Sequence, residues 1–227
     1  MSKEKQSRIL RMNRYTVDQI LDIIKDMFPY AKAELNHNNA YELTVAVILS
    51  AQATDVSVNL ATPQLFEKYP TVYHLAQADV KEVEQCIKTI GLYRNKAKSI
   101  VNMAKKVVEN FHGEIPSKHK DLLTLDGVGQ KTANVIVSVA FNQPAIAVDT
   151  HVSRVSKRLR LAKEADDVLT IERKLKRKIK RNRWSEAHHL MIFFGRYHCK
   201  AQSPKCSECP LSNQCRYYKE NQSSITG

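Results

Sequence analysis

Leu125-Asp126-Gly127-Val128-Gly129-Gln130-Lys131-Thr132-Ala133 is the stretch on which the fold turns. Gly127 and Gly129, one residue apart, open backbone torsions closed to other residues and let a ligand approach the main-chain amides. Short helical patterns flank them, around residues 117–123 and 130–141. The second helix begins directly after the turn, so its unpaired N–H groups and positive dipole end face the same place. A Gly-x-Gly alone marks many tight turns. Set between two short helices, it reads as a phosphate-binding hairpin.

Lys131 falls in the first turn of that second helix, where the dipole disfavours a cation. Two readings stand: a solvated lysine, the usual fate of lysines, or an amine whose charged form is disfavoured and which acts as a nucleophile. Chain geometry favours the second. The helix rises roughly 15 Å. The segment 142–148, kept out of the helix by Pro144, is extended and spans roughly 23 Å. The chain can therefore return to where the helix began, bringing Asp149 near Lys131. A carboxylate there accepts a proton or steadies a developing cation. Asp149 also suits the N-cap of its own helix, and the two roles are compatible.

Outward from the hairpin, helical periodicity dominates. Val17, Ile20, Leu21, Ile24 and Met27 follow i, i+3, i+4 spacing, and Pro29 ends the run. Further helices are predicted over 40–52, from an Asp55 cap through Phe66, from a capping box of Asp79 and Glu82 to Thr89, and over 93–111, closed by His112 and Gly113. Beyond the hairpin they run from Asp149 to Leu161, from Asp167 to about Asn182, and over 184–197. The pattern contains no strand, repeat or low-complexity linker, and the fold class is all-α.

The 227 residues are 43% apolar, enough for a substantial core, with few Gly (6) and Pro (7). Lys and Arg number 36 against 23 acids, a formal charge of +13 that points to a polyanionic partner, with a merely basic protein as the bland alternative. The longest apolar run, Val45–Leu49, is too short for a membrane span, and residues 1–14 are polar and basic rather than a secretory leader. A cytoplasmic, nucleoid-associated location is expected. The basic helix from Ile171 to Arg183 has one apolar stripe, Ile171, Leu175 and Ile179; its cations read as a solvated surface or as a DNA contact.

Of five cysteines, Cys86 reads as a small buried hydrophobe. The others, Cys199-x6-Cys206-x2-Cys209-x5-Cys215, are spaced to fold around one centre. Zinc and an iron–sulfur cluster both fit by chemistry alone, although zinc more often takes two paired Cys-x-x-Cys knuckles.

Residues 125–131 followed by Ala147-Val148-Asp149-Thr150-His151-Val152-Ser153-Arg154 closely resemble the helix–hairpin–helix DNA glycosylase superfamily, and within it the bacterial endonuclease III family. Ser50-Ala51-Gln52-Ala53-Thr54-Asp55 and Gly91-Leu92-Tyr93-Arg94-Asn95-Lys96-Ala97 fit it too, so the resemblance covers about residues 18–217. Asp126 departs from it, standing where a proline is common and adding negative charge beside the hairpin.

The resemblance implies two helical domains flanking a DNA-binding cleft. One is 32–143; the other is 1–31 with 144–227, carrying a [4Fe–4S] cluster on Cys199, Cys206, Cys209 and Cys215. It implies a glycosylase and abasic-site lyase acting on double-stranded DNA with oxidised pyrimidines or abasic sites, as a monomer, with Lys131 and Asp149 catalytic. Gln52 fills the space of an extruded base, with Ile90 and Leu92 as a wedge. Gly127, Gly129, Lys200 and Lys205 meet phosphates. Asp55, Thr150 and His151 line or support the pocket, His151 as a hydrogen-bonder, and Arg154 is a support or phosphate contact. The competing readings are a monofunctional glycosylase and a non-enzymatic iron–sulfur protein that binds DNA or senses redox state.

Overall fold

The computed structural model describes residues 15–221. They form helices α1 (Val17–Met27), α2 (Ala40–Leu49), α3 (Asp55–Lys68), α4 (Val72–Ala76), α5 (Val80–Cys86), α6 (Tyr93–Phe111), α7 (His119–Leu122), α8 (Gln130–Val139), α9 (Thr150–Arg158), α10 (Val168–Lys178), α11 (Trp184–Phe193) and α12 (Arg216–Glu220). No strand occurs among the described residues. No helix among them is long and apolar enough to cross a membrane.

The chain divides into two compact units, Ala33–Ala147 and the combination of Met1–Lys32 with Val148–Gly227. The first holds α2 to α8. Its core is built on α2, whose residues Tyr41 to Leu49 are all buried, and on the face of α6 carrying Ala97, Ile100, Val101, Met103, Ala104 and Val107. A helix buried all round needs no polar face, so α2 shows no amphipathic period. The first unit runs on to Ala147, four residues past the expected 143, because the extended segment packs into it. Ala145 and Ile146 are buried, and Asn134 Nδ2 donates to the Ile146 carbonyl at 3.2 Å.

Several helix ends differ from expectation for local reasons. α2 stops at Leu49 rather than at residue 52, because the chain turns through Gln52 in a left-handed conformation (φ 53°). Thr54, not Asp55, caps α3, its side chain accepting from Ser57 N. The Asp79–Glu82 capping box does not close: Asp79 accepts from Lys81 N, while Glu82 turns to Lys68 Nζ and Tyr69 Oη. α5 ends at Cys86, short of the expected Thr89, with Ile87 leaving helical torsions, and Cys86 is buried in the core as expected. A reciprocal box does form at α1, where Thr16 accepts from Gln19 N and the Gln19 side chain accepts from Thr16 N.

The second unit packs α1, α9, α10 and α11 through Ile20, Leu21, Ile24, Val152, Val155, Ile171, Leu175 and Met191, all buried. The stripe on α10 faces inward as its four-residue spacing dictates. α11 ends in a wider π turn over Phe194–His198. A charged network joins α1 to the start of α11. Arg183 donates to Asp18, Asp22 and Glu186, and Lys25 Nζ reaches Glu186 at 2.8 Å.

Burial opposes ionisation of Glu186, but hydrogen bonds from Lys25 and Arg183 outweigh it and hold its pKa below the ordinary 4.5. A lowered folded pKa contributes stability that is present above the unfolded value and lost as pH falls through the folded one. Urea midpoints measured at about pH 6 and about pH 3.5 should therefore fall on acidification, and Glu186→Gln should remove part of that fall. An unchanged pH dependence in the variant would contradict the network's role.

Candidate functional site

The hairpin between α7 and α8 is anchored by two buried aliphatics, Leu125 and Val128, with Val128 N donating to the Leu125 carbonyl at 3.2 Å. Gly127 lies between them at φ 76°, and a Cβ there would sit 2.9 Å from Ile48 Cγ2. Both torsion and packing therefore demand glycine. Gly129 differs: its backbone is extended, and a Cβ would meet nothing within 4 Å. The packing of the protein itself therefore does not require glycine at 129.

No side chain caps α8, which leaves the N–H groups of its first turn for an outside acceptor. Lys131 is exposed on this turn. Asp126, the departure noted in the sequence, pairs with Lys106 Nζ at 3.2 Å, so its charge is partly balanced before any anion arrives.

A second exposed feature of the same unit lies where the turns after α2 and before α6 meet. Gly91's side-chain position is 3.9 Å from the Gln52 carbonyl oxygen. Gln52 (φ 53°) and Leu92 (φ 60°) both hold left-handed backbone, and Leu92 is 59% exposed. A bulky aliphatic residue held in that conformation and in water is strained, and such strain clusters at functional sites. Ile90 does not join them. It is 1% exposed and belongs to the core cluster, so of the two residues expected to form a wedge only Leu92 is exposed. Lys96, one turn into α6, was passed over in the sequence. Its amine is buried with no hydrogen-bond partner among the described residues, and burial lowers its pKa.

In the other unit Asp149 caps α9, its Oδ1 accepting from Val152 N at 2.8 Å. The same helix is fixed by two arginines. Arg154 Nε donates to the Cys199 carbonyl at 3.1 Å, and its Nη2 donates to the Gly195 carbonyl at 2.7 Å and contacts His151 Nδ1. Arg154 is thus a support, and His151 a hydrogen-bonder. A Cβ on Gly195 would lie 2.9 Å from His151 Cβ, so the π turn approaches α9 too closely for any side chain. Arg158 Nη1 points at Cys199 Sγ (3.3 Å) and donates to the Lys200 carbonyl, while its guanidinium lies 3.8 Å from the Tyr217 ring centre. Nothing in the cysteine spacing announced Arg158, whose position becomes meaningful only once α9 is packed on the loop.

Cys199, Cys206, Cys209 and Cys215 line one cavity, with Phe194 and His198 at its wall. Among the described residues no three His, Cys, Asp or Glu donors converge on a point that suits a single metal ion. The thiols surround a space, as the corners of a multi-iron cluster require. Burial pushes Cys209 up to about 11 and raises Cys206 and Cys215, with the neighbouring cysteines adding to it. Four thiolates here need a compensating cationic centre, and the donor set fits one. Lys200 and Lys205 are exposed on the same loop.

Two pairs of substitutions separate packing from exposure. In urea unfolding, Gly127→Ala should cost about 1–3 kcal/mol for its strained torsion, while Gly129→Ala should stay within about 1 kcal/mol of the parent. Ile90→Ala should cost about 2–5 kcal/mol and Leu92→Ala about 0.5 kcal/mol or less. Equal costs within either pair would contradict these placements.

Comparison with known proteins places this geometry. Residues 45–181 match the HhH-GPD superfamily base excision DNA repair protein family, and 199–215, from first to last clustered cysteine, match the iron–sulfur binding domain of endonuclease III. The endonuclease III of Bacillus subtilis (strain 168) is 54% identical over 205 residues, 90% of this chain and 94% of that protein. A trapped endonuclease III–DNA covalent intermediate, an estranged-adenine complex, superposes with a TM-score of 0.87 at 49% identity, covering 98% of this chain and all of that one. A non-covalent endonuclease III–DNA complex gives 0.88 at 48% identity with the same coverage. The cofactor of the cysteine loop is a [4Fe–4S] cluster, and the chain belongs to the endonuclease III family of HhH-GPD base excision DNA repair proteins.

Proposed function

We propose that this chain, a base excision repair DNA glycosylase and abasic-site lyase by family, acts on oxidised pyrimidines in double-stranded DNA through Lys131. The observation that carries this reading is an exposed lysine on the open first turn of the hairpin's second helix, in a chain 49% identical to a relative solved as a trapped covalent intermediate with DNA.

The steps follow from the groups available. The backbone N–H groups at the start of α8 hold a phosphate, and the hairpin glycines let it approach. With the damaged nucleotide extruded, Lys131 as the free amine attacks the sugar C1′, and the bond to the base breaks with its electron pair leaving on the base. Loss of the amine proton and opening of the sugar give a Schiff base between Lys131 and C1′. This acidifies C2′–H; removal of that proton expels the 3′ phosphate, and the strand is cut. Asp149 takes up the lysine proton, directly or through water, and steadies positive charge on the sugar. One of its oxygens is engaged by the cap, which fixes the carboxylate's direction. Gln52 offers its amide to the base left unpaired, and Leu92 supports the opened stack. Cys199, Cys206, Cys209 and Cys215 hold the cluster, which when bound cross-links the loop that presents Lys200 and Lys205.

Borohydride trapping on a duplex containing thymine glycol tests the lysine. The parent chain should give a covalent adduct and Lys131→Gln none. Asn also caps helices well, so Asp149→Asn should fold normally yet slow adduct formation by about 10²–10⁴-fold. An adduct in Lys131→Gln would move the chemistry to another amine. Base release by the parent without any adduct would show a water-mediated reaction.

A further inference from the structure

Behind the end of α9 lies a concave pocket of about 480 Å³ that the reaction above does not use. Its polar lining is cationic: Arg160, Lys163, Lys174, Arg177, Lys178 and Arg216. The volume is within the roughly 300–1,000 Å³ usual for ligand sites. Two of the six cations are neutralised nearby, Lys174 by Asp166 and Arg216 by Glu164. Lys163 lies in the field of the same Asp166, which accepts from its backbone N–H, while Arg160, Arg177 and Lys178 form no ion pair among the described residues.

The local backbone is arranged around this charge. α9 ends in a tight turn in which Leu161 N and Ala162 N both donate to the Ser156 carbonyl, and Arg160 takes the left-handed position of that turn at φ 63°. Glycine or asparagine suits that position better. An arginine there is strained, and it adds to a like-charged cluster that repels itself. The cations come from three places in the sequence, the turn at 160–163, the exposed side of α10, and the residue after Cys215. A solvated basic helix face would not need the other two.

We propose that this pocket binds an oligophosphate, meaning two or more linked phosphate groups. Guanidinium groups match phosphate oxygens in paired hydrogen bonds, and lysines add point charge. Even with Lys163 in the field of Asp166, Arg160, Arg177 and Lys178 leave more positive charge than one phosphate neutralises. The linked phosphates can come from the backbone of a nucleic-acid strand or from a free oligophosphate. The site is independent of Lys131 and of the lesion.

The test uses the full, cluster-loaded chain at low salt, with inorganic tripolyphosphate as probe in calorimetry and thermal unfolding. The parent should bind it saturably and melt at higher temperature with it. Lys163→Ala/Arg177→Ala should bind at least about tenfold more weakly. Without phosphate it should melt above the parent, since like charges have been removed. Lys81→Ala/Lys105→Ala, which removes the same charge from the other unit, should keep parental binding. Adduct formation on an abasic duplex should survive in both double variants, so failure here and failure of the lysine chemistry are distinguishable. If undamaged duplex DNA displaces tripolyphosphate from the parent, the backbone is the source; if it does not, a free oligophosphate is. Equal affinity in both double variants, or binding that never saturates, would overturn the site.

Discussion

A helix begins with N–H groups that have no partner of their own, and where this chain closes those starts and where it leaves them open organises the rest of the structure. Thr16, Asn39, Thr54, Thr71, Asp79, Asp149 and Asp167 each accept from the first turn of the helix they precede. The starts of α6, α7, α8, α11 and α12 have no such acceptor, and two of them, α6 and α8, belong to the exposed turns described above. One is preceded by Leu92 in a left-handed conformation, the other by Gly129 with open space in front of it. Both are long enough for packing to hold them without a cap. Leaving them uncapped preserves hydrogen-bonding capacity and positive potential at the surface, which is what a polyanion needs. Asp149 shows the opposite economy, closing a helix with the carboxylate that the proposed reaction also uses.

The cysteine loop rests on a comparable balance. Four thiols line one cavity, and burial opposes the ionisation of Cys206, Cys209 and Cys215, with the neighbouring cysteines adding to it. A cluster relieves this when bound. Arg158 adds a permanent cation beside Cys199, steadied on the face of Tyr217. The loop's carbonyls are also claimed, Cys199 O by Arg154 and Lys200 O by Arg158, so α9 and the loop share one set of hydrogen bonds.

The parts legible in the sequence were those governed by local rules. The span of α6, the break through Pro144, the stripe on α10, the Asp149 cap and the burial of Cys86 follow from periodicity, glycine and proline chemistry, and capping. What escaped depends on distant residues. Gln52 was placed in a helix because nothing in Ser50-Ala51-Gln52-Ala53 announces a left-handed turn; the contact with Gly91 appears only after folding. Ile90 and Leu92 look alike in sequence, and packing alone buries one and exposes the other. Glu82 had the spacing for a capping box, but Lys68 and Tyr69, brought across by α3, offered better partners.

The two arginines on α9 also set a mechanical tolerance. Asp149 stands at one end of the helix and Arg158 at the other, roughly 13 Å apart at 1.5 Å per residue. The helix is held at its far end by guanidinium hydrogen bonds from Arg158 to the loop, and at its near end by the π turn, where Gly195 presses on His151 beside Asp149. A tilt of about 5° about the far clamp would swing the carboxylate by about 1 Å, a misplacement on the scale that costs about 10²-fold in rate where a group reacts. The close approach at Gly195 opposes that tilt, so the aim of the near end depends on the π turn as much as on the loop.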